Sequence, residues 1–98
     1  MLVERNLIVK NESGLHARPA TNLVRLAQKF ESETYLYNAE DETIKADCKS
    51  VLSLLSLGAI KGTKLILRSS GVDASAAIEE VSGFFNRNFD EQISIVTN

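Results

Sequence analysis

The chain has 98 residues, 44% of them apolar and 24% charged, the composition of one soluble globular domain with a single core. A formal net charge of −2 gives no electrostatic case for nucleic acid or an anionic membrane surface, and no apolar run is long enough to span a bilayer. The opening residues lack a charged segment with a cleavage site, so the cytoplasm is the expected compartment.

In chain order, residues 3–10 predict a strand with Leu7 and Val9 on one face and Asn6 and Lys10 on the other; Ile8 breaks the alternation. Asn11-Glu12-Ser13-Gly14 is turn chemistry. Over residues 17–30, Ala20, Leu23, Val24, Ala27 and Phe30 recur at helical spacing and form one apolar stripe. A second strand is expected over residues 34–38. An acidic hairpin loop, Asn38 to Glu42, follows it and leads to a short strand at residues 43–46. Cys48 is the single cysteine; it excludes an internal disulfide and reads as a small half-buried apolar residue. Ser50 then caps a short helix carrying Val51, Leu52, Leu54, Leu55 and Leu57, which Gly58 ends. Residues 63–69 predict a strand with Leu65 and Leu67 inward. Asp73 is placed to N-cap a last helix whose stripe is Ala74, Ala77, Ile78, Val81 and Phe85. The order βαββαβα gives an α+β fold with helices on one face of an antiparallel sheet.

The only histidine and the only proline lie three residues apart, in Gly14-Leu15-His16-Ala17-Arg18-Pro19-Ala20, directly before the first helical stripe. Imidazole is a good nucleophile near neutral pH. At a helix start it lies beside unpaired backbone N–H groups and the positive end of the dipole, which favour a bound phosphate dianion. Arg18 adds a charged donor for phosphate oxygens. Pro19 suits the first turn, where its missing N–H costs nothing, and Gly14 permits a tight entry that exposes the ring. An ordinary capping histidine is the plainer reading of His16, and this neighbourhood outweighs it. No second histidine, no serine–histidine–acid set and no carboxylate pair competes for a hydrolytic site, and one histidine with one cysteine cannot build a structural zinc site.

The segment Gly-Leu-His-Ala-Arg-Pro-Ala resembles the active-site signature of HPr, the histidine-containing phosphocarrier of the bacterial phosphotransferase system. A second segment, Lys49 to Gly58, is similar to that family's Lys-Ser-Ile-Met-Gly-(apolar)-Met-Ser-Leu-Gly motif, and Ser70-Gly71-Val72-Asp73 resembles the opening of its last helix. The resemblance covers residues 3–86. It implies an open-faced β-sandwich, a four-stranded antiparallel sheet with three helices on one face, with residues 1–88 as the HPr-like domain and 89–98 as a C-terminal extension. It also implies that His16 takes a phosphoryl group on its δ nitrogen from phosphorylated Enzyme I, with Arg18 as partner, and passes it to sugar-specific IIA components. The chain would then be a monomeric carrier, not an enzyme, with no cofactor, no metal, no nucleic acid and no membrane.

Ser50 maps onto the serine that HPr kinase/phosphorylase modifies where the organism has that kinase. Val51, Leu52 and Leu55 are the expected partner-docking patch, and the starts of both helices are expected at one end of the fold, which would bring Ser50 near His16. Two alternatives remain: a regulatory paralogue of the nitrogen-related branch, and a non-transferring docking module for a transcription regulator. An intact His16 and Arg18 count against the second. Ile8, Tyr35, Tyr37 and Ile66 fall on the face without helices, and Ile93 and Ile95 of the tail are expected to cover part of it or to pair along an edge.

Overall fold

The computed structural model describes residues 1–91, so the expected packing of Ile93 and Ile95 lies outside the described residues. Four strands, β1 (Leu2–Ile8), β2 (Glu33–Asn38), β3 (Asp41–Asp47) and β4 (Lys64–Ser70), form one antiparallel sheet in the order β1-β4-β2-β3. Three helices, α1 (Ala17–Ala27), α2 (Val51–Ser56) and α3 (Ala74–Asn86), complete the open-faced α+β sandwich that the sequence predicts. Among the described residues no helix is long and apolar enough to cross a membrane.

The core lies between the sheet and the helices. Leu36, Leu65 and Leu67 come from alternate positions of the two inner strands and are fully buried, as are Ala20, Leu23 and Ala27 of α1 and Ala74, Ala77, Ile78 and Val81 of α3. The polar residues on this inner face pair with each other. Thr34 and Ser69 face each other in register, and their buried hydroxyls lie 2.9 Å apart. Phe89 extends the core past α3, packing its ring 5.4 Å from Phe84 and 4.8 Å from Phe85.

Several boundaries differ from those read in the sequence, each for a local reason. Val9 is buried as expected, yet it bonds to the turn before β4 (its N–H to the Thr63 carbonyl at 3.0 Å) beyond the end of the β1 ladder. Helix α1 ends at Ala27, not Phe30: the Gln28 amide still reaches Val24, but those of Lys29 and Phe30 reach back only three residues, to Leu26 and Ala27. The acidic stretch is not a long loop. Asn38 Oδ1 accepts from the amides of Glu40 and Asp41, which turns the chain tightly enough for Asp41 and Glu42 to begin β3.

Asp73 precedes α3, but its side chain does not cap it. The carboxylate instead accepts from the amides of Glu31 and Ser32, each at 2.9 Å, and from the Ser32 hydroxyl, tying the loop after α1 to the start of α3. The Ser32 hydroxyl and then these amides hold its carboxyl below the usual carboxylate range.

The sheet face opposite the helices is covered by charge. Arg68 lies 4.4 Å from the centre of the Tyr37 ring and pairs with Glu4 and Glu42, while Lys45 lies 5.7 Å from the Tyr35 ring. Cations thus occupy part of the apolar surface for which the tail was expected.

Candidate functional site

Three consecutive residues deliver His16 to the start of α1. Gly14 has φ +67°, and a Cβ there would fall 2.5 Å from the carbonyl oxygen of Ala59, so only glycine fits. Leu15 follows with its side chain buried and its N–H bonded to that same carbonyl at 2.9 Å. His16 is then extended (φ −89°), its carbonyl accepts the first helical bond from Ala20 at 3.0 Å, and its side chain, 40% exposed, makes no capping bond. No acidic residue stands in the first turn, and Pro19 carries no N–H. The amides of Ala17 and Arg18 are therefore left to bind an anion beside the ring.

The ring is held from the other side. His16 Nε2 lies 2.7 Å from Glu91 Oε2, and Glu91 Oε1 accepts from Asn11 Nδ2 at 2.9 Å. Asn11 Nδ2 also donates to the Gly14 carbonyl at 2.9 Å, so one asparagine braces both the glycine turn and the carboxylate. Neither Asn11 nor Glu91 was singled out from the sequence. Asn11 read as a turn residue, and Glu91 stands 75 residues from the histidine, beyond the reach of any local pattern.

His16 and Arg18 line a surface groove of about 1530 Å³ together with Arg25, Lys29 and Arg87. Arg5, Arg68 and Arg87 are each engaged by carboxylates; Arg18 and Arg25 make no ion pair among the described residues. An exposed, uncommitted guanidinium next to unpaired amides is suited to a transient dianion, because it gives up no existing partner when the anion arrives.

Ser50 caps α2 as expected, its hydroxyl accepting from the Ser53 amide at 3.2 Å. Its expected proximity to His16 is not found. Leu15 and Gly14 pack on Ala59, just past the end of α2, while Lys49, just before its start, donates from Nζ to the Phe30 carbonyl at 2.8 Å, just past the end of α1. The start of α2 thus lies by the end of α1 and its end by the His16 turn, so Ser50 and His16 sit toward opposite ends of the helix pair. Of the expected docking residues, Leu52 (79% exposed) and Leu55 (41%) face outward, whereas Val51 is half-buried against the core. Ile60, at 70% exposure, adds an apolar residue close to Gly14. Cys48 is fully buried, and burial pushes its thiol far above the usual range, so it offers no nucleophile.

Comparison with known proteins agrees with this geometry. The family model described as "PTS HPr component phosphorylation site" matches residues 3–87. Phosphocarrier protein NPr of Escherichia coli (strain K12) is 37% identical over 91 residues, covering 93% of this chain and 99% of that protein. The multiphosphoryl transfer protein of Haemophilus influenzae is 35% identical over 88 residues, 90% of this chain and 18% of its own length. Among solved structures, HPr-C-His from Thermoanaerobacter tengcongensis superposes with a TM-score of 0.83 at 32% identity, covering 93% of this chain and 99% of that one.

Proposed function

The chain belongs to the PTS HPr family, and from that premise we propose that it is a phosphoryl carrier of the regulatory, nitrogen-branch type, loaded on His16 by a phosphorylated Enzyme I. The observation that carries the proposal is the half-exposed ring of His16 at an uncapped helix start, beside an arginine that makes no ion pair among the described residues. In the transfer, a ring-nitrogen lone pair of His16 forms the new N–P bond. The donor's N–P bond breaks, and its electron pair returns to the donor's ring nitrogen. The amides of Ala17 and Arg18 and the Arg18 guanidinium oppose the charge on the transferring oxygens. The protein needs no further machinery, because donor and acceptor proteins supply the rest, with IIA-type components as the acceptors.

The regulatory branch is favoured over sugar uptake because relatives matched along nearly their whole length carry the name NPr. Leu52 and Leu55 serve as the docking surface in this reading, and Ser50 as a site for a serine kinase. Incubation with labelled phosphoenolpyruvate and the Enzyme I of each branch tests it. Acid-labile label should appear on the wild type, faster with the nitrogen-branch enzyme, and be absent from His16→Ala. Label on His16→Ala refutes the carrier site; equal or faster loading by the sugar-branch enzyme refutes the branch assignment.

A further inference from the structure

We infer that Glu91 is a positioning residue, whose carboxylate keeps the ring proton of His16 on Nε2 and so directs the phosphoryl group to Nδ1. The inference rests on the reading of His16 as the phosphoryl acceptor. An ionised carboxylate only accepts hydrogen bonds, so the 2.7 Å contact makes Nε2 the protonated nitrogen and leaves the Nδ1 lone pair for phosphorus. When the donor's N–P bond breaks and the Nδ1–P bond forms, the Nε2 proton stays in place. The phosphorylated ring is then cationic, and Glu91 lies against that charge.

Two further observations show that the fold sets this carboxylate in place at some cost. Asn11 faces two groups that only accept, the Gly14 carbonyl and Glu91, so its Nδ2 serves both, and its buried Oδ1 has no hydrogen-bond partner among the described residues. The path from α3 to Glu91 also runs through Asn88, Phe89 and Asp90 at φ 53°, 60° and 55°, three successive non-glycine residues in the left-handed region. Burial of Phe89 and the Arg87–Asp90 ion pair at 2.6 Å hold that turn, and the Glu91 amide bonds the Asn88 carbonyl at 3.1 Å.

The full chain, its Glu91→Ala variant and its Glu91→Gln variant are phosphorylated with phosphoramidate, and NMR reads which ring nitrogen carries phosphorus. The wild type should be phosphorylated on Nδ1 with only a trace of the Nε2 isomer. Glu91→Ala should show at least about a tenfold rise in the Nε2 isomer. Glu91→Gln, whose single amide oxygen cannot serve both Asn11 and His16, should fall between. In the unphosphorylated wild type, a hydrogen-bonded Nε2 proton should be visible and should disappear in Glu91→Ala. Equal isomer ratios in wild type and Glu91→Ala overturn the inference. Because phosphoramidate needs no protein partner, a failure of Enzyme I to load the chain would strike the carrier reading and leave this result standing.

Discussion

Gly14 and Gly58 share a φ of +67°, but only one of them is crowded, and the pair separates backbone strain from steric exclusion. An alanine at Gly58 meets no atom within 4 Å, so Gly58→Ala should cost only the left-handed penalty, about 1 kcal/mol. An alanine at Gly14 pays the same penalty and places its Cβ 2.5 Å from the Ala59 oxygen and 3.0 Å from Ile60 Cα. Both obstacles are backbone, so no side chain can swing aside. The turn must separate from Ala59, which breaks the 2.9 Å bond from Leu15 N–H and leaves a buried donor unpaired, at roughly 1–3 kcal/mol. Gly14→Ala should therefore be less stable than Gly58→Ala by ~2 kcal/mol, or roughly 8–16 °C in Tm for a domain of this size. Urea and thermal unfolding of both variants measure the difference directly. Phosphorylation of His16 should fall only in Gly14→Ala, because that turn also carries the carbonyl that Asn11 binds. Equal losses of stability in the two variants would refute the steric argument and leave conformational strain as the whole effect.

Phe89→Ala should lower stability by about 3 kcal/mol, since it empties a buried site between Phe84 and Phe85, and denaturant unfolding reads the loss. Asp73→Asn should unfold at lower temperature than wild type at pH 7, with the gap closing as pH falls below about 4. The sign follows from the lowered carboxyl: its stabilisation is present above the unfolded-state value and is lost as pH falls through the folded-state value, so a pH-independent gap would contradict it. Ser50→Asp should keep its helix cap and its Tm. Its charge, placed toward the far end of α1 from His16, should leave the phosphoramidate rate unchanged while slowing Enzyme I at low salt. An unchanged Enzyme I rate there would reduce Ser50 to a cap.

Where a segment buries one regular face, its sequence was sufficient. The stripe Ala20, Leu23, Val24 and Ala27 is buried along α1, and alternation in β4 placed Leu65 and Leu67 in the core. Strand β3 escaped in part because it is an edge strand: residues 41–45 are all exposed, so no alternation marks them. The His16 loop was legible because glycine, histidine, arginine and proline are each tied to the local backbone of a helix start. What completes the site was not. Asp73 looked like a cap because the residue type and position were right, but its acceptor capacity went to Glu31 and Ser32, some forty residues away. Glu91 and the opposed directions of α1 and α2 are likewise tertiary facts, fixed by which surfaces meet.

The sheet order has a consequence for how the chain is made. Strand β4 lies between β1 and β2, pairing Leu2 with Ser70 on one side and Glu33 with Ser70 on the other. Only the β2–β3 hairpin joins neighbours in sequence. During synthesis from the N-terminus, β1 therefore emerges first and waits some sixty residues for its partner, with one edge of the hairpin equally unpaired. At ~5–20 residues per second that interval lasts several seconds, and closing so large a loop is the slow step in a fold built on distant pairs. The α1 stripe has no sheet to cover until then. A nascent chain halted before Lys64 should thus carry its histidine loop and its first helix sequence without a folded core to display them, and protease resistance should arrive in one step once β4 can pair and α3, which completes the core, has followed it.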